Sequence, residues 1–157
     1  MRYAQIRNMD VSNGEGLGAS LFVQGCHFHC KGCHNPEQWS FDGGKLYTKK
    51  EEAAILEIID KSYIKRFSIL GGEPLETSNL SELICLIKKI KQKRPDIKIW
   101  LYTGYTWEAL QDNSNEAIKE ILDNIDVLVD GQFIEEEKDL SLRFRGSRNQ
   151  RLIYLAK

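Results

Sequence analysis

The sequence predicts an α/β protein, folded as an open, partial (βα) barrel with a mostly parallel sheet and helices on the outside. Patterns typical of strands and of helices alternate along the chain, as they do in parallel sheets. The predicted strands are nearly continuous apolar runs, which is expected when both faces of a sheet are covered. A closed eightfold barrel takes about 250 residues, whereas this chain has 157 residues. The length therefore fits an open barrel of about four or five strand–helix units.

The first half of the chain contains clear strand and helix patterns. The apolar segment ASLFVQG predicts a buried strand that leads into a cysteine-rich loop. A helix is predicted over YTKKEEAAILEIID, where Thr48 and Glu51 have the spacing of a capping box. The next predicted strand, RFSIL, is stopped by Gly71 and Gly72. A second helix is predicted in SNLSELICLIKKIKQK and ends before Pro95.

The second half continues the alternation. IKIWLY predicts a strand that ends at TGY, a helical pattern follows in NSNEAIKEILDNI, and DVLVDG predicts another strand. A basic segment, LSLRFRGSRNQR, then leads to a last apolar stretch, LIYLA. The carboxyl ends of parallel strands meet at one edge of a sheet. We therefore expect the loops CHFHCKGC, GGEP and TGY and the Asp130–Gly131 turn to converge on one face.

Composition indicates one globular domain, residues 1–157, with no internal repeat or linker. Hydrophobic residues make up 41% of the chain and charged residues 29%, a balance that excludes disordered and membrane proteins. The formal charge of −1 gives no general attraction to nucleic acid or anionic lipid. No apolar run reaches the length of a membrane span, and the charges in MRYAQIRNMD argue against a signal peptide. We therefore expect a cytoplasmic protein that binds neither nucleic acid nor membrane.

The segment GCHFHCKGCHNPEQW concentrates potential metal ligands in one short loop. It contains Cys26, Cys30 and Cys33, with three histidines between and beside them. Zinc is one interpretation, since a histidine of the same loop would complete a Cys3His site. An iron–sulfur cube is the other, because three thiolates would leave one iron without a protein ligand and open to a small molecule. The spacing favours the cube, since a Cys-x3-Cys-x2-Cys loop can curl around three corners of one cluster.

The other cysteine and two of the histidines have simpler interpretations. Cys85 lies far from the loop, within a helical pattern of apolar residues. We expect it to pack in the core as a small apolar side chain. For His27 and His29 we expect solvated positions, or positions that support the metal ligands from behind.

A second motif, Gly-Gly-Glu-Pro at residues 71–74, directly follows a predicted strand. The two glycines allow the backbone to approach a ligand closely, and Glu73 adds an acidic acceptor. Alone, this motif is typical of an ordinary strand-to-helix turn. Together with the cysteine loop one strand–helix unit earlier, it indicates a cofactor site.

These motifs resemble the signature of the radical S-adenosylmethionine superfamily, a Cys-x3-Cys-x2-Cys loop followed by a Gly-Gly-Glu turn. The resemblance is closer to one family within it, the anaerobic ribonucleoside-triphosphate reductase activating proteins. It covers nearly the whole chain, with NGEGLGASLFVQGC, GCHNPEQW, LGGEPL, YTGY, IDVLVDGQF and LRFRGSRNQR in the expected order. The cysteine loop points to the superfamily, whereas RGSRNQR and DVLVDG point to the family.

The resemblance implies two cofactors, a [4Fe-4S] cluster and S-adenosylmethionine. It implies that Cys26, Cys30 and Cys33 bind the cluster, and that the amino and carboxylate groups of S-adenosylmethionine bind its open iron. Many members of the superfamily have an aromatic residue before the third cysteine, where it packs on adenine. This chain has glycine there, as is usual in the family. The resemblance therefore does not assign the residues that contact adenine, and residues 102–105 are candidates. The residues implied to contact S-adenosylmethionine are Gly32, Cys33, His34, Gly71, Gly72 and Glu73.

The resemblance also implies the reaction and the partners. Reductive cleavage of S-adenosylmethionine would give a 5′-deoxyadenosyl radical, which abstracts hydrogen from a glycine of the partner, so no catalytic side chain is assigned. The implied partners are the large subunit of anaerobic ribonucleoside-triphosphate reductase and an electron donor such as a flavodoxin. Activation of another glycyl radical enzyme and a non-catalytic metal-binding module are the alternatives.

A basic segment near the end of the chain has a separate interpretation. Arg143, Arg145, Arg148 and Arg151 concentrate positive charge in a chain that is otherwise nearly neutral. Such charge runs are often only solvated surface. We expect these arginines to help dock the reductase, or to bind carboxylates at the opening of the barrel.

Overall fold

A computed structural model describes residues 1–156 of the chain, so that Lys157, the last residue of the predicted domain, lies outside it. A seven-stranded sheet runs through the protein in the order β3-β1-β2-β4-β5-β6-β7. The strands are β1 (Arg2–Asp10), β2 (Gly18–Val23), β3 (Lys45–Leu46), β4 (Arg66–Gly71), β5 (Lys98–Tyr102), β6 (Val127–Asp130) and β7 (Arg151–Tyr154).

The centre of this sheet is parallel and its edges are antiparallel. Strands β2, β4, β5 and β6 pair in parallel, as the alternation of strand and helix patterns predicts. Strand β7 pairs with β6 in the opposite direction, and β1 pairs antiparallel with both β2 and β3. The predicted α/β class is confirmed, as a mixed sheet with helices. Strand β1 is absent from the sequence prediction.

Within the described residues four α-helices accompany the sheet, and three of them lie where the sequence predicts them. Their bounds are α1 (Lys49–Ile59), α2 (Leu80–Lys93), α3 (Trp107–Gln111) and α4 (Glu116–Asn124). The short helix α3 is not predicted by the pattern, because its five residues are too few to show a helical period. Within residues 1–156, no helix combines the length and the apolar character needed to cross a membrane.

The predicted capping box at the start of α1 is confirmed. The Thr48 side chain accepts a hydrogen bond from the backbone N–H of Lys50, and the Glu51 carboxylate accepts from the backbone N–H of Thr48 at 2.8 Å. We expect Thr48→Ala to lower the free energy of unfolding by about 1 kcal/mol, because helix N–H groups lose their acceptor. Urea unfolding measures this loss, and Thr48→Ser should retain most of the stability.

The prediction that Cys85 lies in the core is wrong. Its side chain is partly exposed and lines a crevice between α1 and α2, beside Tyr47 and Glu52. The buried side of α2 contains Leu83, Leu86, Ile87 and Ile90, and Cys85 lies on the flank of that stripe. The helical spacing of apolar residues predicts which face of a helix is buried. It predicts less reliably whether a residue at the edge of that face is buried.

The helices cover one face of the sheet, and residues of the opposite face, such as Phe22 and Trp100, are also buried. Side chains that point toward the helices form the main hydrophobic core. On the opposite face, Trp100, Val127 and Val129 form a small cluster with Phe144. Phe144 belongs to residues 131–150, which connect β6 to β7 and which we call the strap. The rings of Trp100 and Phe144 meet edge to face, with centroids 5.4 Å apart.

A buried arginine fixes the loop between β1 and β2 at the edge of this opposite face. Arg66 is 0% exposed, and its guanidinium donates hydrogen bonds to the carbonyl oxygens of Asp10 and Asn13. The Asp10 carboxylate accepts from the backbone N–H groups of Ser12 and Asn13. These bonds hold the loop in place, and Ser12 and Asn13 form one wall of the cavity described next.

Candidate functional site

The four loops predicted to converge lie around one cavity. Its volume is about 450 Å³, and it opens at the carboxyl ends of the parallel strands. The cysteine loop after β2, the Gly-Gly-Glu turn after β4, the turn after β5 and Gly131 after β6 all contribute to its walls. The parallel direction of β2, β4, β5 and β6 explains this convergence, because it brings all four carboxyl ends to the same edge.

The cysteine loop is anchored at its start and turns back on itself. The backbone N–H of Cys26 donates to the carbonyl oxygen of Trp39 at 3.0 Å, and that of Cys33 donates to the carbonyl oxygen of Cys30 at 3.1 Å. All three of these cysteines are free thiols that line the cavity. The loop therefore presents three sulfur atoms to one space without using any of them in a disulfide.

Burial makes two of these thiols hard to ionise in the absence of a cation. It raises the pKa of Cys26 to about 11, although the backbone N–H groups of Phe28 and His29 face its sulfur and favour the thiolate. Burial also raises the pKa of Cys30. A metal centre would replace these protons, since cysteine binds metals as the thiolate.

The residues present fit a [4Fe-4S] cluster with one open corner. Three thiols line one cavity, and the backbone N–H of Asn35 donates to the sulfur of Cys33 at 3.4 Å. Hydrogen bonds of this kind to sulfur are typical of iron–sulfur sites. The fourth cysteine lies in a different crevice. Among residues 1–156, no three His, Cys, Asp or Glu side chains are close enough together to hold a single metal ion.

The three histidines of the loop have different environments. The ring of His27 forms a hydrogen bond with the Glu76 carboxylate. The ring of His29 stacks on the ring of Trp39, with the two ring centroids 4.5 Å apart. Only His34 of the three lines the cavity. His27 and His29 are both exposed, which agrees with the solvated positions expected for them.

Two glycines allow the Gly-Gly-Glu turn to contact the cysteine loop directly. The backbone N–H of Gly72 donates to the carbonyl oxygen of Val23, and that of Glu73 donates to the carbonyl oxygen of Gly25, at 2.9 and 2.8 Å. A Cβ atom at Gly72 would lie 2.4 Å from the Gly25 oxygen, and Gly71 has a φ of +110°. Any larger side chain would separate the two loops.

The Glu73 carboxylate is 1% exposed and joins the turn to the end of β5. It accepts hydrogen bonds from the backbone N–H of Gly104 at 2.7 Å, from the backbone N–H of Leu75 at 2.9 Å, and from the Thr103 hydroxyl. Burial raises its pKa to about 7. The carboxylate therefore organises two loops of the site, and one edge of it reaches the cavity wall.

The structure places nearly all the sequence-predicted site residues together. Gly32 is one exception, since it is exposed and faces the side chain of Glu135 instead of the cavity. Tyr105 packs against the ring of Phe28 and is absent from the cavity wall. The predicted residues that line the cavity are Cys26, Cys30, Cys33, His34, Gly71, Gly72, Glu73, Tyr102, Thr103 and Gly104.

Sequence reasoning missed the contribution of the strap and of β1. Gln132 and Phe133 line the cavity beside the cysteine loop, and the Cys30 sulfur lies 3.7 Å from the Gln132 side-chain oxygen. Arg7 lines the cavity from β1, and Phe28 lines it from within the loop itself. Only Phe28 had a local signal, as an apolar residue between two histidines.

The basic segment divides into arginines with different surroundings. Arg151 forms ion pairs with the buried carboxylate of Asp130 and with Glu108, so its charge is neutralised within the fold. Arg145 lines the cavity. Arg143 lies over the ring of Phe144, with 4.9 Å between its guanidinium carbon and the ring centroid. Of these four arginines Arg145 alone lines the cavity, so the docking expectation is kept for Arg145.

Comparisons with known proteins agree with this geometry. The model of a family described as a 4Fe-4S single cluster domain matches residues 12–153. The anaerobic ribonucleoside-triphosphate reductase-activating protein of Vibrio cholerae is 45% identical over 152 residues, which cover 96% of each chain. The protein of that name in Pasteurella multocida is 42% identical over 156 residues, 98% of this chain and 97% of its own. The one in enterobacteria phage T4 is 36% identical over 154 residues, covering 97% and 93%. This chain therefore belongs to the family of anaerobic ribonucleoside-triphosphate reductase-activating proteins.

Proposed function

We propose that this chain is a radical S-adenosylmethionine enzyme that generates the glycyl radical of anaerobic ribonucleoside-triphosphate reductase. One observation carries the proposal: three free thiols and a Gly-Gly-Glu turn meet at a single cavity. Three ligands suit a cluster that keeps one iron for a small molecule. The names of the relatives supply the reductase as the target.

Each part of the cavity has a proposed role toward the cofactors. Cys26, Cys30 and Cys33 would hold the cluster. Gly71, Gly72 and Glu73 would lie beside the methionine end of S-adenosylmethionine. Gly32 and His34 belong to the cysteine loop and would contact S-adenosylmethionine from there. When bound, the cluster supplies the electron that cleaves S-adenosylmethionine into methionine and a 5′-deoxyadenosyl radical, which takes hydrogen from a glycine Cα. Adenine would lie near the end of β5, where Tyr102 and Thr103 line the cavity.

The protein positions these groups and limits contact with water. The hydrogen bonds of Glu73 fix the turn after β4 against the turn after β5, so the cavity walls keep their spacing. Apolar side chains of Phe22, Phe28, Leu70 and Val129 form much of the remaining wall. Such a wall excludes water and other side reactants from a reactive radical.

We further propose that the sheet is an open partial barrel of the radical S-adenosylmethionine type, formed by residues 1–157 as one domain. The supporting observations are the four parallel strands, the helices on one face and the cavity at the carboxyl ends of the strands. The mouth of this cavity would admit a polypeptide loop of the reductase large subunit. We also propose that the electron donor is a protein such as a flavodoxin. The proposed location is the cytoplasm, where thiols stay reduced.

Anaerobic reconstitution tests the proposed function. The protein is loaded with iron and sulfide, reduced, and assayed for 5′-deoxyadenosine with S-adenosylmethionine, and then mixed with the reductase for electron paramagnetic resonance. We expect 5′-deoxyadenosine and a glycyl radical signal on the reductase. A colourless protein with stoichiometric zinc and no cleavage would identify a non-catalytic module. Cleavage without a radical on the reductase would point to another glycyl radical enzyme.

A further inference from the structure

We infer that the part of the cavity away from the cysteine loop binds a carboxylate of the polypeptide substrate, through Arg7 and Arg145. This inference rests on the proposed function and specifies what the site recognises in the reductase. Both arginines line the same cavity as the three thiols. Arg7 is paired with Ser20, toward the amino end of β2, whereas the cysteine loop begins beyond its carboxyl end.

Neither guanidinium has an acidic partner within the part of the chain that the structure describes. Arg66, Arg94 and Arg151 each lie within 4.0 Å of a carboxylate oxygen. No such ion pair exists for Arg7 or Arg145 among residues 1–156. Two guanidinium groups that line a cavity without an ion-pair partner can bind an added carboxylate.

Both guanidinium groups are held in position by neighbouring groups that leave donors free. The Arg7 guanidinium lies over the Phe22 ring, 4.6 Å from its centroid. Arg145 donates to the carbonyl oxygen of Arg143 at 3.2 Å, and its Nε is buried without an acceptor. Buried donors normally have a partner. The free N–H groups of Arg145 therefore suit a carboxylate, which accepts from two of them at once.

The acidic groups of the cavity wall offset only part of the positive charge of these arginines. Asp139 lines the cavity, and hydrogen bonds from the hydroxyl and the backbone N–H of Ser141, together with the charges of Arg148 and Arg145, lower the pKa of its carboxyl. The Glu73 carboxylate accepts hydrogen bonds within the turns after β4 and β5. Two arginines and one ionised carboxylate therefore leave a positive charge at this end of the cavity.

Exposed apolar side chains beside the arginines favour a polypeptide over a small anion. Leu140 lines the cavity and is 86% exposed. Met9 and Val11, two and four residues after Arg7, are exposed at the end of β1 and in the loop that follows. Apolar residues around a charged centre are typical of surfaces that bind protein segments. The occupant is therefore a segment of the reductase that has an acidic residue close to its reactive glycine.

Binding of the reductase to the double variant Arg7→Gln/Arg145→Gln tests this inference. We expect the dissociation constant to rise by about tenfold and to depend less on salt, since charge pairs at an interface add salt-sensitive attraction. Arg148→Gln is the matched control, because it removes an exposed positive charge of the same segment that lies outside the cavity wall. Thermal unfolding of each variant shows that the fold is retained.

A double-mutant cycle identifies the carboxylate. Acidic residues that flank the glycine of the reductase are replaced by their amides, one at a time. Replacement of the acidic residue that binds the two arginines should weaken binding to the wild-type protein and should have no further effect on binding to the double variant. Equal binding of the double variant and the wild type, or an equal loss with Arg148→Gln, would overturn the inference. Binding does not depend on the radical chemistry, so failure of the proposed function is seen separately, in the 5′-deoxyadenosine assay of the wild type.

Discussion

The Cys30→Ala variant is expected to form no 5′-deoxyadenosine and no glycyl radical on the reductase. The cavity contains three thiols and no fourth cysteine to replace a lost one. With two thiolates the cluster would lose a corner ligand. The apo fold should change little, by about 1 kcal/mol or less, because the Cys30 side chain is only partly buried and its sulfur contacts Gln132 at 3.7 Å.

Iron and sulfide analysis after anaerobic reconstitution measures this loss directly, before any activity assay. Cys85→Ala is the matched control, since Cys85 lies in the crevice between α1 and α2 and should leave iron content and turnover unchanged. Retained cluster and turnover in Cys30→Ala would show that Cys30 is not a ligand. Loss of iron in Cys85→Ala would show that the cluster takes its fourth ligand from that residue.

The parts of the fold that the sequence predicts are those with a local cause. Thr48 and Glu51 define the start of α1 by their own hydrogen bonds, and the apolar segments of β2, β4, β5 and β6 are buried because both faces of these strands are covered. Strand β1 lacks that signal. It lies between β2 and the two-residue β3, and side chains such as Gln5 and Arg7 are exposed. Its polar sequence therefore shows no strand pattern.

The site also has parts that the local sequence predicts and parts that depend on contacts between distant residues. The cysteine loop and the Gly-Gly-Glu turn are short motifs, and the direction of the parallel strands is enough to predict that they meet. The contributions of Gln132, Phe133 and Arg145 depend on how the strap packs on the loop and on Trp100, which no local pattern records. The role of Glu73 as a link to Thr103 also depends on a contact between residues distant in sequence.

The Glu73→Gln variant should change both the stability of the protein and its dependence on pH. In the wild type, burial raises the pKa of Glu73 from 4.5 to about 7. Between these values the folded protein keeps a proton that the unfolded chain has released, so the free energy of unfolding falls as pH rises. The shift corresponds to about 3 kcal/mol, lost between about pH 4.5 and pH 7.

Glutamine at this position cannot titrate and cannot satisfy both sides of the site. Its amide nitrogen would face the backbone N–H of either Leu75 or Gly104, so that one donor loses its acceptor. We expect a loss of about 1 to 3 kcal/mol at pH 5. As pH rises to 8, the wild type loses about 3 kcal/mol and the variant does not, so the difference between them closes or reverses. Urea unfolding of the metal-free protein across this pH range measures both effects.

Glu37→Gln serves as the control, because Glu37 is exposed and its variant should follow the pH dependence of the wild type. An unchanged pH slope in Glu73→Gln would mean that the Glu73 carboxylate is ionised throughout this range. The hydrogen bonds from Gly104, Leu75 and Thr103 would then outweigh the cost of its burial. In that case the turn after β4 would present a fixed negative charge to the cavity, next to the proposed position of the S-adenosylmethionine amino group.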